Sequence, residues 1–235
     1  MSAAALGVAG AAATPLASGA SAASAAPDVA VAAPPSLTPD QALEALKRGN
    51  REFLSGRPVR QDGDGRRRLE IARAQHPIAV LVSCSDSRVP PELLFGRGLG
   101  ELFIIRNAGN TIDTVAMGSL EYAVAELNVP LVVVMGHERC GAVAAAVSVV
   151  EEGAKFPGSI GQMVEPIIPA VLDARRSGPS DLLDASVRAN VSRTVARLRQ
   201  FSEPMVLDRL RQRRLRVVGA RYDLDDGTVD FFDEG

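Results

Sequence analysis

The run "IAVLVSCSDSR", residues 78–88, is a continuous apolar stretch that ends in the polar motif Cys-x-Asp-x-Arg. A second run, "PLVVVMGHERC" at 130–140, repeats this arrangement and ends in His-x-x-Cys. β-Branched runs without polar alternation predict strands that are buried on both faces, as in a parallel sheet. The two runs therefore predict an α/β fold in which each polar motif follows a strand.

Helical segments separate these runs and complete the predicted fold. The first covers 37–57, where Thr38 or Asp40 can cap a helix. Two alternating segments flank Asp226-Gly227 near the end of the chain, which predicts a hairpin. We expect a mostly parallel central sheet covered by helices on both faces, with an N-terminal helical arm and a C-terminal hairpin. Further helices are predicted at 64–76, 114–128, 141–152, 159–176 and 180–213, and a further strand at 101–109.

Residues 1–36 differ in composition from the rest of the chain. They are almost wholly Ala, Ser, Gly, Val and Pro, with no charge before Asp28. The stretch "SAASAA" at 21–26 offers an Ala-x-Ala-type cleavage site, although a basic n-region is missing. We expect a leader over 1–36, either a signal peptide or a disordered segment, and a folded domain over 37–235. A periplasmic or secreted location is expected, with a cytoplasmic one as the alternative.

Charge and composition exclude several classes of partner. The formal net charge is −2 and 23% of the residues are charged, so no strong basic field is present for nucleic acid. The leader is too often interrupted by small and polar residues to predict a membrane span. Two cysteines in 235 residues do not make a disulfide scaffold.

The two polar motifs are expected to form one site, since parallel strands end at the same edge of a sheet. Cys84, His137 and Cys140 would supply two thiolates and an imidazole, which suit zinc. Asp86 could be a fourth ligand in a closed form, or Arg88 could hold it aside by two hydrogen bonds and leave room for water. Two inert buried thiols, or one disulfide, are the alternative explanations of the two cysteines.

The open arrangement predicts a mechanism. Zinc lowers the pKa of bound water to about 7, which gives hydroxide near neutral pH. Asp86 would accept a hydrogen bond from the zinc-bound hydroxide and direct it toward an electrophile. The Asp86→Ala variant is therefore expected to bind zinc but to lose most activity.

The segments "CSDSRVPPELLFGRGLGELFIIRNAGN" and "GSLEYAVAELNVPLVVVMGHERCGAV" closely resemble the β-class carbonic anhydrases, and the resemblance extends over about 37–235. It implies an enzyme that interconverts CO₂ and bicarbonate with one Zn²⁺ ion per chain, by attack of zinc-bound hydroxide on CO₂. The family's ligands match Cys84, His137 and Cys140, and its catalytic dyad matches Asp86 and Arg88. The resemblance also implies self-association as a homodimer or tetramer.

The resemblance extends to a substrate pocket. Plant-like members line the CO₂ pocket with residues that match Gln75, Phe103 and Tyr122. The subgroup with a bicarbonate-binding regulatory site uses a tryptophan, and this chain has none. Arg106 and Asn107 are expected to brace the loops or the subunit interface.

Two other functions compete with CO₂ hydration. Close relatives use the same kind of site to hydrolyse carbonyl sulfide or carbon disulfide. A zinc-binding protein without catalysis would keep Asp86 as a permanent fourth ligand. Arg88 argues against the latter, because a carboxylate committed to zinc does not need that partner.

Overall fold

A parallel sheet forms the centre of the molecule. The structure is a computed structural model that describes residues 37–56 and 65–234, so the predicted leader over 1–36 lies outside the described residues. Within them, the strand order is β2-β1-β3-β4-β5, with β5 antiparallel to β4 and all other pairs parallel. This arrangement confirms the predicted sheet and C-terminal hairpin. The strands are β1 (Ala79–Ser83), β2 (Leu102–Arg106), β3 (Leu131–His137), β4 (Arg216–Tyr222) and β5 (Val229–Asp233).

Helices cover both faces of the sheet, as predicted. Proline shapes two of the helical segments, because it lacks an amide hydrogen and clashes with the preceding turn. The predicted helix over 180–213 is divided before Pro204, and the one over 159–176 contains a 3-10 turn at Glu165–Ile167. No helix in the described part of the chain is both long and apolar enough to cross a membrane. The helices are α1 (Pro39–Leu54), α2 (Gly65–Ile71), α3 (Pro91–Leu94), α4 (Thr114–Ala125), α5 (Gly141–Glu152), α6 (Gly158–Val164), α7 (Ile168–Arg176), α8 (Leu182–Phe201) and α9 (Pro204–Arg211).

The continuous apolar runs arise because successive side chains of a strand point to opposite faces. Val80 and Val82 pack with α4 and α8 on one face, whereas Leu81 packs with α1 on the other. All five residues of β1 and all seven of β3 are buried. If polar residues alternated with apolar ones in these strands, the polar side chains would lie in the core, whichever face they occupied.

The N-terminal helix has a capping box in its first turn and one close contact with the end of α3. The Thr38 hydroxyl accepts a hydrogen bond from the backbone N–H of Gln41, and the Gln41 side chain accepts one from the N–H of Thr38. This capping box satisfies backbone donors that have no partner inside the helix. Further along α1, a Cβ on Gly49 would lie 1.9 Å from the carbonyl oxygen of Phe95. Only glycine allows α1 to approach α3 this closely.

The strand register places the ends of β1, β2 and β3 side by side. Ser83, the last residue of β1, pairs with Arg106 on one side and Met135 on the other. Cys84 therefore leaves the sheet beside the end of β3, where His137 stands. This edge carries both polar motifs, as expected for a parallel sheet.

Candidate active site

The structure brings Cys84, His137 and Cys140 together at this edge. Cys84 follows β1, His137 ends β3, and Cys140 caps the N-terminus of α5. Their ligand atoms all lie within 4.8 Å of one another, and all three residues are buried. The two Sγ atoms are 3.9 Å apart, far longer than the about 2.05 Å of a disulfide bond. Both thiols are free, so the disulfide alternative does not hold.

The imidazole of His137 presents one nitrogen to the thiols. Nδ1 lies 2.9 Å from the carbonyl oxygen of Glu138, an acceptor, so Nδ1 carries the hydrogen and donates it. Nε2 is then a lone-pair acceptor, and it is buried without a hydrogen-bond partner. A carbonyl that accepts from the other ring nitrogen and so fixes the tautomer is usual for a metal-ligating histidine. The orphaned Nε2 is therefore available to bind a metal ion.

The spacing of the donor atoms fits zinc. With zinc–sulfur bonds of about 2.3 Å, two thiolates of a tetrahedral site lie about 3.8 Å apart. The observed separation of the Cys84 and Cys140 sulfurs is 3.9 Å. Two sulfurs and one imidazole nitrogen are also a donor set that zinc prefers.

The two thiols affect each other's ionisation. A hydrogen bond from Cys140 and one from the backbone N–H of Gly109 lower the pKa of Cys84, against the opposing effect of burial. The Gly109 N–H lies 3.3 Å from the Cys84 sulfur. Contact with Cys84, followed by burial, raises the pKa of Cys140. Two adjacent thiolates therefore need a nearby cation, which a divalent metal would supply.

Arg88 holds the carboxylate of Asp86 beside this group. Its Nε lies 3.0 Å from Oδ1 of Asp86 and its Nη2 lies 2.8 Å from Oδ2, while the Arg88 backbone N–H donates to Oδ1 at 2.9 Å. These contacts keep the pKa of Asp86 well below its usual range. Oδ2 is 3.8 Å from Nε2 of His137. The carboxylate is thus ionised, oriented and next to the candidate metal position.

A second arginine fixes the loop that carries Cys84 and Asp86. Arg106 donates from Nε to the carbonyl of Cys84 at 2.8 Å and from Nη2 to the carbonyl of Asp86 at 2.6 Å. Both contacts are to backbone oxygens, so Arg106 braces the loop, as expected from the sequence.

Asn190 is a supporting residue that the sequence did not reveal. Its side-chain amide donates to the carbonyl of Gly109 at 2.8 Å, while the N–H of the same glycine faces the sulfur of Cys84. Gly109 has a φ of 71°, which glycine adopts without strain. Asn190 lies on α8, 81 residues further along the chain, and no local motif marks it.

The predicted pocket residues lie elsewhere in the single chain. Gln75 is exposed between α2 and β1. The rings of Phe103 and Tyr122 are 6.5 Å apart, on β2 and α4. Phe103 pairs with Val80, about 13 Å along the strand from Cys84. One chain therefore brings Phe103 and Tyr122 together but does not bring them to the Cys-His-Cys group, and their role stays a prediction.

The fold and the site are those of an α/β enzyme that carries its chemistry at the carboxyl edge of a parallel sheet. Comparison with protein families agrees: the carbonic anhydrase family model matches residues 79–229. The chain belongs to the carbonic anhydrase family, in its β-class. The predicted family and enzyme class are confirmed.

Individual relatives cover most of the chain. Carbonic anhydrase 2 of Mycobacterium tuberculosis is 43% identical over 186 residues, which are 79% of this chain and 89% of the relative. A tetrameric β-carbonic anhydrase of Sordaria macrospora is 25% identical with a TM-score of 0.64, covering 70% of this chain and 84% of that one. The Coccomyxa β-carbonic anhydrase in complex with acetazolamide is 27% identical with a TM-score of 0.64, covering 81% and 84%.

Proposed function

We propose that this enzyme catalyses the reversible hydration of CO₂ to bicarbonate and a proton, with one zinc ion per chain held by Cys84, His137 and Cys140. The observation that carries the proposal is the unpartnered Nε2 of buried His137, which converges with two thiols whose sulfurs are 3.9 Å apart. A buried nitrogen without a partner is unfavourable, and a metal ion would satisfy it. Membership of the carbonic anhydrase family supplies the reaction.

Individual residues prepare the ligand atoms for metal binding. Bound zinc would supply a Lewis acid that lowers the pKa of water to about 7. His137 keeps Nε2 as the free lone pair because Nδ1 donates to the carbonyl of Glu138. The Gly109 N–H stabilises the negative charge on the Cys84 sulfur. His137 and Cys84 are therefore held in the protonation state that a metal requires, whereas Cys140, whose pKa is raised, would lose its proton on metal binding.

Asp86 is proposed to orient the nucleophile. Its carboxylate can only accept hydrogen bonds while it is ionised, and Arg88 keeps it so by lowering its pKa. The same ion pair directs both carboxylate oxygens toward the guanidinium. Oδ2 of Asp86 can then accept a hydrogen bond from the attacking water. This contact would leave a lone pair of the water oxygen directed at CO₂. Arg88 thus has a positioning role.

We propose that a second copy of the chain covers β2 and α4. Among the described strands, β2 has a neighbour on one side only, and an unpaired edge is a template for pairing. Next to it, Val115 is 77% exposed and Tyr122 is 50% exposed, both on α4. Burial of these side chains favours a homodimer or tetramer, and the Sordaria relative is tetrameric. Gln75, Phe103 and Tyr122 would line a CO₂ pocket that this association completes.

The two histidines of the chain allow a matched test of the metal site. His137 is buried beside both thiols, and His76 is exposed outside the group. Zinc is titrated into the full chain against a competing chelator for wild type, His137→Gln and His76→Gln. Wild type and His76→Gln are expected to bind one zinc ion tightly, while His137→Gln binds it far more weakly. Equal affinity in both variants would overturn the proposed ligand set.

A further inference from the structure

The turn between His137 and Cys140 contains a residue in an unfavourable backbone conformation. Arg139 has a φ of 51°, in the left-handed region. A β-carbon makes this region unfavourable, and glycine is the residue that adopts it freely. Arg139 is one of only two residues between His137 and Cys140, whose ligand atoms lie within 4.8 Å of each other. A contact made outside the turn can offset the cost of this conformation.

The side chain of Arg139 makes a two-pronged ion pair with the C-terminal hairpin. Its Nη1 donates to Oδ2 of Asp225 at 2.9 Å, and its Nη2 donates to Oδ1 at 2.6 Å. Two parallel bonds fix direction as well as distance. Asp225 lies between β4 and β5, so the pair connects the turn between His137 and Cys140 to the C-terminal hairpin.

Hydrogen bonds with several side chains fix the turn between β4 and β5. Asp223 accepts a hydrogen bond from the N–H of Asp225 at 2.9 Å and another from Arg221 at 2.9 Å. The Glu138 carboxylate accepts from the N–H of Leu224 at 3.2 Å. Asp225 is therefore presented from a fixed turn.

The acidic side chains of this region do not form a second metal site. The carboxylates of Glu138, Asp223 and Asp225 lie within 4.8 Å of one another. Arg139 contacts Glu138 and Asp225, and Arg221 contacts Glu138 and Asp223. Two guanidinium groups thus already neutralise most of the charge that a cation would need.

We infer that Asp225 is a positioning residue for the metal centre: it holds Arg139 in the left-handed conformation and so fixes Cys140 relative to His137. The inference rests on the proposed zinc site. Both side chains of the pair are largely exposed, at 48% and 70%, so the pair adds little to the stability of the whole domain. The ion pair acts on the turn between His137 and Cys140. When the pair is lost, zinc is released from the site faster.

The test measures zinc release into excess chelator from the loaded full chain. Asp225→Asn removes the charge of the side chain and keeps its shape. The variant is expected to release zinc about tenfold faster, the scale of effect seen when a residue that supports metal ligands is lost. Asp40→Asn is the control, since Asp40 is 79% exposed and pairs with Arg216 at 2.6 Å, at the far end of β4. It is expected to release zinc at the wild-type rate. Thermal unfolding of the zinc-free proteins should not distinguish the two variants.

A second variant separates positioning from general disturbance. Glycine adopts the left-handed conformation without help, so Arg139→Gly removes the need for the ion pair. Adding Asp225→Asn to Arg139→Gly should then leave zinc release unchanged. The visible spectrum of bound Co²⁺ should shift in Asp225→Asn and stay constant between Arg139→Gly and the double variant.

The possible outcomes distinguish this inference from the proposed function. Wild-type release in Asp225→Asn, or an equal acceleration in the Arg139→Gly background, would overturn the positioning role and leave the zinc site standing. A wild-type chain that binds no zinc would overturn both.

Discussion

Oδ2 of Asp86 lies 3.8 Å from Nε2 of His137 while both oxygens of the carboxylate accept hydrogen bonds from Arg88. The carboxylate therefore adjoins the candidate metal position while Arg88 engages both of its oxygens. The ion pair with Arg88 is the feature expected of the open form, and it supports the role proposed for Asp86 in orienting water.

Replacing Asp86 should separate metal binding from catalysis. Asp86→Asn keeps the size of the side chain but removes the strong acceptor, so the variant should bind one zinc ion and lose activity by about 100-fold or more. Stopped-flow CO₂ hydration and zinc content are measured on the same samples. A zinc-loaded variant with wild-type activity would contradict the role given to Asp86.

The low pKa of Asp86 predicts the form of the pH profile. Because Arg88 lowers this pKa in the folded protein, the carboxylate is ionised above its unfolded value of about 3.9 and is protonated only in stronger acid. Asp86 should therefore add no titration between about pH 5.5 and 9. The logarithm of kcat/KM should rise with a slope of one over the acid limb. A slope of two would show that a second group titrates with the nucleophile.

Gly109 should be sensitive to substitution for two separate reasons. Gly109→Ala places a β-carbon at a φ of 71° and 2.6 Å from Cδ1 of Ile167, whereas Gly153→Ala has a similar φ of 68° with nothing within 4 Å. The control should lose about 1–2 kcal/mol of unfolding free energy from the backbone alone. Gly109→Ala should lose more, and should also bind zinc more weakly through the shifted contact with Cys84. Equal losses in urea unfolding would show that Ile167 moves aside freely.

The exposed face of α4 should control assembly. Val115→Asp places a charge where a second copy is proposed to pack, and is expected to shift the protein toward monomer in light scattering, with lower CO₂ hydration activity. Met205→Asp is the control, because Met205 is 49% exposed on α9. A Val115→Asp protein with the wild-type mass would place the interface elsewhere.

Local sequence patterns predicted the sheet and the convergence of Cys84, His137 and Cys140. Strands that are buried on both faces carry long apolar runs, so β1 and β3 could be recognised in "AVLVS" and "LVVVMGH". The rule that parallel strands end at one edge then brought Cys84 and His137 together. The break before Pro204 was missed because the apolar periodicity continues across it.

Contacts between distant parts of the chain were not predictable in the same way. The pairing of Arg139 with Asp225 spans 86 residues, and that of Asn190 with Gly109 spans 81. The sequence around Arg139 or Asn190 does not indicate which distant residue the side chain contacts. Phe103 and Tyr122 lie on β2 and α4, and their predicted role in a pocket depends on the proposed second copy of the chain, whose position one sequence does not indicate.

The proposed activity is best tested by stopped-flow CO₂ hydration with zinc-quantified protein, scanned from about pH 6.5 to 9 across the range in which zinc-activated water ionises. We expect activity that scales with zinc content and rises with pH. A chain that binds one zinc ion yet hydrates no CO₂ at any pH in this range would contradict it.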